Sequence, residues 1–145
     1  MHVPKGFRTD AGKKYMGFRV NHIHVKAADP AAAADWFVAA FGFKILGDVS
    51  RPDGNRFIRC LTGDDSLNVT FSGARTGEII PKAPQGSYLG LEHIGFDSTD
   101  IKDDLRRLQA LGAVIEDGPM MSRNGNWVAL VTTPHGMRIE LLQKP

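Results

Sequence analysis

The chain has 145 residues, 42% of them hydrophobic and 23% charged, with a formal net charge of +2 and a single cysteine. That size and composition suit one globular domain or two fused half-domains with an ordinary core. They exclude an internal disulfide framework, and no run of about 18 apolar residues is present to span a membrane.

Residues 1–19 form a basic N-terminal extension, with Lys5, Arg8, Lys13, Lys14 and Arg19 against Asp10. The extension lacks the apolar run of a secretory signal and the aromatic interleaving of a nucleic-acid binder. The expected location is therefore the cytoplasm, with neither nucleic acid nor a membrane as a partner. Phe18–Lys26 alternates and predicts a strand. Asp29 is placed to cap a helix over Ala31–Phe41, with Pro30 at its first position and Gly42 as its stop. Strands are expected over Lys44–Val49, Arg56–Leu61 and Leu67–Phe71, with a turn at Arg51-Pro52-Asp53-Gly54. Cys60 falls in one of these apolar runs and reads as a buried thiol.

Residues 73–88, rich in Gly, Pro and Ser, read as a linker. The order then repeats: a strand over Leu89–Asp97, a helix capped by Thr99 or Asp100 and stopped by Gly112, and a strand from Val114. Asn124-Gly125 marks a hairpin, followed by strands Trp127–Thr132 and Met137–Gln143. Residues 20–72 and 89–145 are thus two βαβββ modules. The repeat is visible in detail, since His22 and Asp29 are matched by His93 and Asp100 at an offset of 71 residues.

Side chains alternate between the faces of a strand. Ile23, Val25, Ile94, Phe96, Ile139 and Leu141 share the faces that helices cover. His22, His24, Asn68, His93 and Glu140 then line the other face. Two imidazoles and one carboxylate can hold a divalent ion and leave positions open for substrate, so His22, His93 and Glu140 are the candidate metal ligands. Asn68, 46 residues after His22, reads as the counterpart of Glu140 and a contact for bound water or substrate. His24 shares the face of His22 and is a candidate general acid or base. Of Arg56, Arg59, Arg123 and Arg138, only Arg138 is placed on the inner face, as a candidate substrate contact.

The runs His22-x6-Asp29-Pro30, Asp35-Trp36-Phe37 and Phe41-Gly42-Phe43 resemble the opening module of the vicinal oxygen chelate superfamily. Glu92-His93-Ile94-Gly95-Phe96 and Thr133-Pro134-His135-Gly136-Met137-Arg138-Ile139-Glu140-Leu141 resemble its closing module, and the similarity covers residues 18–143. The resemblance implies an α+β fold in which two tandem βαβββ modules make a cup-shaped mixed sheet with helices on the convex side. It implies a divalent metal (Fe(II), Mn, Ni, Co or Zn), a small-molecule substrate and a homodimer. His22, His93 and Glu140 match its ligand positions, and Glu140 is counted with His24 among the catalytic residues. Asn68 departs from the Glu or Gln of glyoxalase I and of the epimerase members. The leading expectation is a glyoxalase-type lyase or isomerase. The rivals are an Fe(II) extradiol-type ring-cleaving dioxygenase, a thiol transferase of the fosfomycin-resistance kind, and a non-catalytic cup that binds a small ligand.

Overall fold

A computed structural model describes residues 18–145, so most of the basic extension lies outside the described residues. The chain forms β1 (His22–Lys26), α1 (Pro30–Phe41), β2 (Lys44–Ser50), β3 (Arg56–Leu61) and β4 (Asn68–Ser72). The second half follows with β5 (Ile94–Asp97), α2 (Ile101–Ala110), β6 (Val114–Met121), β7 (Trp127–Thr132) and β8 (Arg138–Gln143). Each half makes its own four-stranded mixed sheet, in the orders β1-β4-β3-β2 and β5-β8-β7-β6. The fold is α+β, with two βαβββ modules as the repeat implies.

The helix ends follow the expected chemistry. Asp29 accepts hydrogen bonds from the Ala31 and Ala32 amides, Pro30 opens α1, and Gly42 closes it with φ of 67°. That left-handed conformation costs glycine least. Asp100 caps α2 through the Asp103 amide. β1 and β5 are shorter than the alternating pattern suggests. β4 begins only at Asn68 and β8 only at Arg138, so Phe18–Asn21 and Leu89–His93 have no ladder partner.

α1 buries Ala33, Ala34, Trp36, Phe37 and Ala40 against its sheet, and α2 buries Ile101, Leu105 and Leu108. Phe37 sits among aromatic rings, 5.1 Å from Phe43 and 5.2 Å from Phe71. Such ring pairs add to the burial of apolar area in the core. The modules dock through reciprocal contacts at the helix ends. Trp36 Nε1 donates to the Leu111 carbonyl at 2.7 Å, and Arg107 donates to the Ala40 carbonyl at 2.6 Å. Residues 36 and 107, and 40 and 111, are equivalent in the 71-residue repeat, so one contact is the pseudo-twofold image of the other. Both donors satisfy carbonyls that a helix C-terminus leaves open. Phe41 stacks on Phe96 at 4.2 Å between the modules. No described helix is long and apolar enough to cross a membrane.

Candidate functional site

The ladder register decides which side chains meet. β1 runs parallel to β4 with His22 beside Asn68 and His24 beside Thr70. β5 runs parallel to β8 with Gly95 beside Glu140. His24 and Gly95 are repeat equivalents, so the counterpart of Glu140 is Thr70, not Asn68. The cause is loop length: the β3–β4 connection spans residues 62–67 and the β7–β8 connection 133–137, one residue fewer. A constant 71-residue offset would make Val69 the counterpart, and the extra loop residue moves it by one to Thr70, on the opposite face from Val69. The Asn68 amide instead donates to the Asn21 carbonyl at 3.3 Å, at the start of β1.

The two histidines are anchored alike. His22 Nδ1 lies 2.9 Å from Asn21 Oδ1, and His93 Nδ1 lies 2.6 Å from Glu92 Oε2. Asn21 and Glu92 are repeat equivalents. A carboxylate or amide oxygen only accepts, so each Nδ1 carries a proton and Nε2 is the nitrogen left to serve as a metal ligand. Hydrogen bonding of one ring nitrogen by a neighbouring oxygen is how proteins orient a histidine for a metal. His93 Nε2 is 3.7 Å from Glu140 Oε2. Two ligands each ~2.1 Å from one ion can stand at that separation. His93 and Glu140 therefore have the donor chemistry and the spacing of two ligands to one divalent cation.

Glu92 has a second task. Its other carboxylate oxygen accepts from Arg138, which also pairs with Glu116 at 3.5 Å. The Arg138 side chain is only 11% exposed. Expected as a substrate contact, Arg138 is placed instead as the strut that holds Glu92 against His93. Glu116 is held in turn by the Thr132 hydroxyl.

His22 lies in the other module. It shares a cavity of about 350 Å³ with His24, Thr70, Phe57, Arg51 and Arg59. His24 Nε2 is 2.7 Å from the hydroxyl of Ser72, a fully buried residue, and its ring is 5.8 Å from Phe57. Burial, reinforced by the charges of Lys26 and His22, holds the His24 pKa below its ordinary value. Glu140 opens instead onto a cavity of about 810 Å³ between the modules, together with Ile23, Ile94 and Gly95. The structure thus brings His93 and Glu140 together and His22 and His24 together. Among the described residues, no three His, Cys, Asp or Glu side chains converge on one point.

Sequence reasoning missed Glu92 as an orienting group, and it missed Arg59. Arg59 pairs with Thr70 in the β3–β4 ladder and so shares the face of His24. The alternation of Phe57, Arg59 and Leu61 with the buried Ile58 and Cys60 was the available signal. Arg56 faces elsewhere and is held by Asp48. His135 lies in the β7–β8 turn and lines neither cavity.

Two mixed four-stranded sheets from tandem βαβββ modules, with histidines at repeat-equivalent positions, define a paired-module α+β fold. The chain belongs to the glyoxalase/bleomycin resistance protein/dioxygenase superfamily, whose model matches residues 19–141. A glyoxalase family protein from Enterococcus faecalis is similar in structure, with a TM-score of 0.70 and 21% identity over 86% of this chain and 96% of that one. A glyoxalase I mutant from Zea mays superposes with a TM-score of 0.68 and 19% identity, over 87% of this chain and 45% of that one. The fosfomycin resistance protein FosX from Listeria monocytogenes, in a complex with Mn(II) and sulfate, gives 0.65 and 12% identity over 88% and 93%. No curated protein matches the sequence.

Proposed function

We propose that the chain is a divalent-metal-dependent lyase or isomerase that binds a small substrate through its oxygens, with His22, His93 and Glu140 holding the ion. The observation that carries this reading is the matched anchoring of both Nδ1 atoms by the repeat-equivalent Asn21 and Glu92. When bound, an ion such as Fe(II), Mn, Ni, Co or Zn would polarise substrate oxygens and stabilise negative charge developing on them. The chain's own residues supply the rest. Glu92, braced by Arg138, fixes the His93 tautomer. His24, kept neutral by burial, accepts a proton from the substrate and returns it, while the Ser72 hydroxyl sets the orientation of its ring. Asn68 holds the start of β1 and, with it, the position of His22.

The third ligand comes from a second copy. Within one chain the Trp36, Arg107 and Phe41 contacts already dock the modules, and His22 stands apart from His93 and Glu140. Bringing them together in one chain would break that docking. A homodimer that sets the inner face of one module against the other module of its partner avoids the cost. Exposed apolar side chains on the outer strands, Ile45, Leu46 and Val49 in β2 and Val114 and Met121 in β6, support an interface there.

The test is metal uptake by His22→Ala and His93→Ala proteins, alone and after mixing by unfolding and refolding together. Each alone should take up none. The mixture should recover about a quarter of wild-type capacity, because half of randomly formed dimers are mixed and each carries one intact site of two. No recovery would place the site within one chain. Turnover of α-keto thiohemiacetals, scored with each ion, tests the reaction class. A second reading has its own support. Thr70 cannot act as a carboxylate ligand, which leaves two histidines and one carboxylate, the set typical of non-haem Fe(II) oxygenases. Oxygen consumption with a catechol and Fe(II) would move the function to ring cleavage.

A further inference from the structure

We infer that the cavity beside His22 is an oxyanion-binding subsite, which selects substrates carrying a carboxylate or phosphonate next to an apolar group. This rests on the reading of His22 as a metal ligand, and it adds the chemical class of the substrate.

Five of the described arginines are committed to acidic partners: Arg56 to Asp48, Arg75 to Asp53, Arg106 to Asp103, Arg107 to Asp104, and Arg138 to Glu92. Arg51 and Arg59 have no carboxylate within ion-pair distance among the described residues, yet both line the His22 cavity. Their positions are built. The Arg51 guanidinium lies 4.0 Å above the centre of the Phe57 ring. That contact holds the guanidinium over the ring face without using its N–H groups on a carboxylate.

Arg59 lies across Gly47, which faces it in the β2–β3 ladder beside an irregularity in the register. A Cβ at position 47 would come within 3.0 Å of an Arg59 terminal nitrogen. The strand therefore has a glycine where the arginine passes. No carboxylate lines this cavity, whose other walls are His22, His24, Thr70, Val49 and Phe57. Two unneutralised guanidinium groups on one wall, a hydroxyl at Thr70 and an apolar floor of Phe57 and Val49 match an oxyanion attached to a compact apolar body. Guanidinium suits carboxylate and phosphonate because its parallel N–H groups reach two oxygens at once. A substrate held there would have its remaining oxygens directed toward His22.

The probes are phenylphosphonate, benzoate and the neutral benzamide, titrated into the full chain by calorimetry with EDTA present. The wild type should bind both anions saturably and benzamide at least tenfold more weakly. Whichever anion binds tighter identifies the preferred headgroup. Arg51→Gln and Arg59→Gln should each weaken the anions by about tenfold, the usual effect of losing a charged hydrogen-bond donor. Arg123→Gln, an exposed arginine in the other module, should leave affinity unchanged. Gly47→Ala should weaken binding severalfold by displacing Arg59 with its charge intact. Melting temperatures of the variants confirm that they fold. No saturable anion binding by the wild type, or losses in Arg51→Gln and Arg59→Gln no larger than in Arg123→Gln, would overturn the inference. Because EDTA removes metal from the assay, failure here with metal uptake intact refutes only this subsite. Anion binding without metal uptake refutes only the metal reading.

Discussion

Replacing Glu92 by Gln isolates the orienting role of one carboxylate. Glu92 accepts from His93 Nδ1 at 2.6 Å through one oxygen and from Arg138 through the other. A glutamine has one oxygen and one NH2 group, so it must turn a donor toward either the histidine N–H or the guanidinium. It also removes the negative charge that lies against the His93 ring. Loss of such an orienting partner weakens metal binding by about 10–100-fold, or ~1.4–2.7 kcal/mol. Glu116→Gln is the control. It disturbs the other partner of Arg138, 3.5 Å away, without touching His93. Titrations with Mn(II) or Ni(II), followed by calorimetry, should show the loss for Glu92→Gln only, whereas both variants should melt somewhat earlier than wild type. Affinity within threefold of wild type for Glu92→Gln, or equal losses in both variants, would refute the orienting role.

Three further outcomes follow from the geometry. Thr70→Glu should tighten metal binding, because the register makes Thr70 the counterpart of Glu140, whereas Asn68→Glu should not; titration of the two variants side by side checks this, and the reverse order would mean that the register is wrong. His24 should titrate below pH 6.5 in an NMR pH series. The unfolded chain then takes up this proton first, so stability should fall as the pH drops from about 6.5 through the lowered folded-state value; a midpoint at or above 6.5 contradicts the burial argument. Cys60 is fully buried, and desolvation pushes its pKa up to about 11, so it should stay unreactive toward a disulfide reagent at pH 8 until the protein unfolds; prompt labelling of native protein would contradict this.

Much of the architecture was legible because it rests on local chemistry. The Asp29 cap, Pro30 and Gly42 bounded α1 closely, and Arg56–Leu61 and Trp127–Thr132 are strands over the expected residues. The equal spacing of His22 to Asp29 and of His93 to Asp100 revealed the two modules. What escaped was non-local. A constant offset of 71 residues points to Val69, and one extra residue in the β3–β4 loop moves the counterpart of Glu140 on to Thr70, two positions beyond the expected Asn68; counting along the chain does not show where a loop absorbs a residue. Arg138 reads as an inner-face cation by alternation, but its burial depends on Glu92, in the segment before β5, and on Glu116 in β6. Arg59 was assignable by alternation, whereas its resting place depends on Gly47 and an irregular β2, which only the folded sheet brings together. The separation of His22 from His93 is a property of how the modules dock, carried by Trp36, Arg107 and Phe41 rather than by either histidine motif.

The most direct test of the central claim is the metal content of protein purified without oxygen and dialysed against each of Fe(II), Mn, Ni, Co and Zn. The wild type should retain one ion per chain for at least one of these metals, His93→Ala should retain none, and Asn68→Ala should lose little. A wild type that retains no ion and gains no thermal stability from any of the five, or His93→Ala that retains its ion fully, would contradict it.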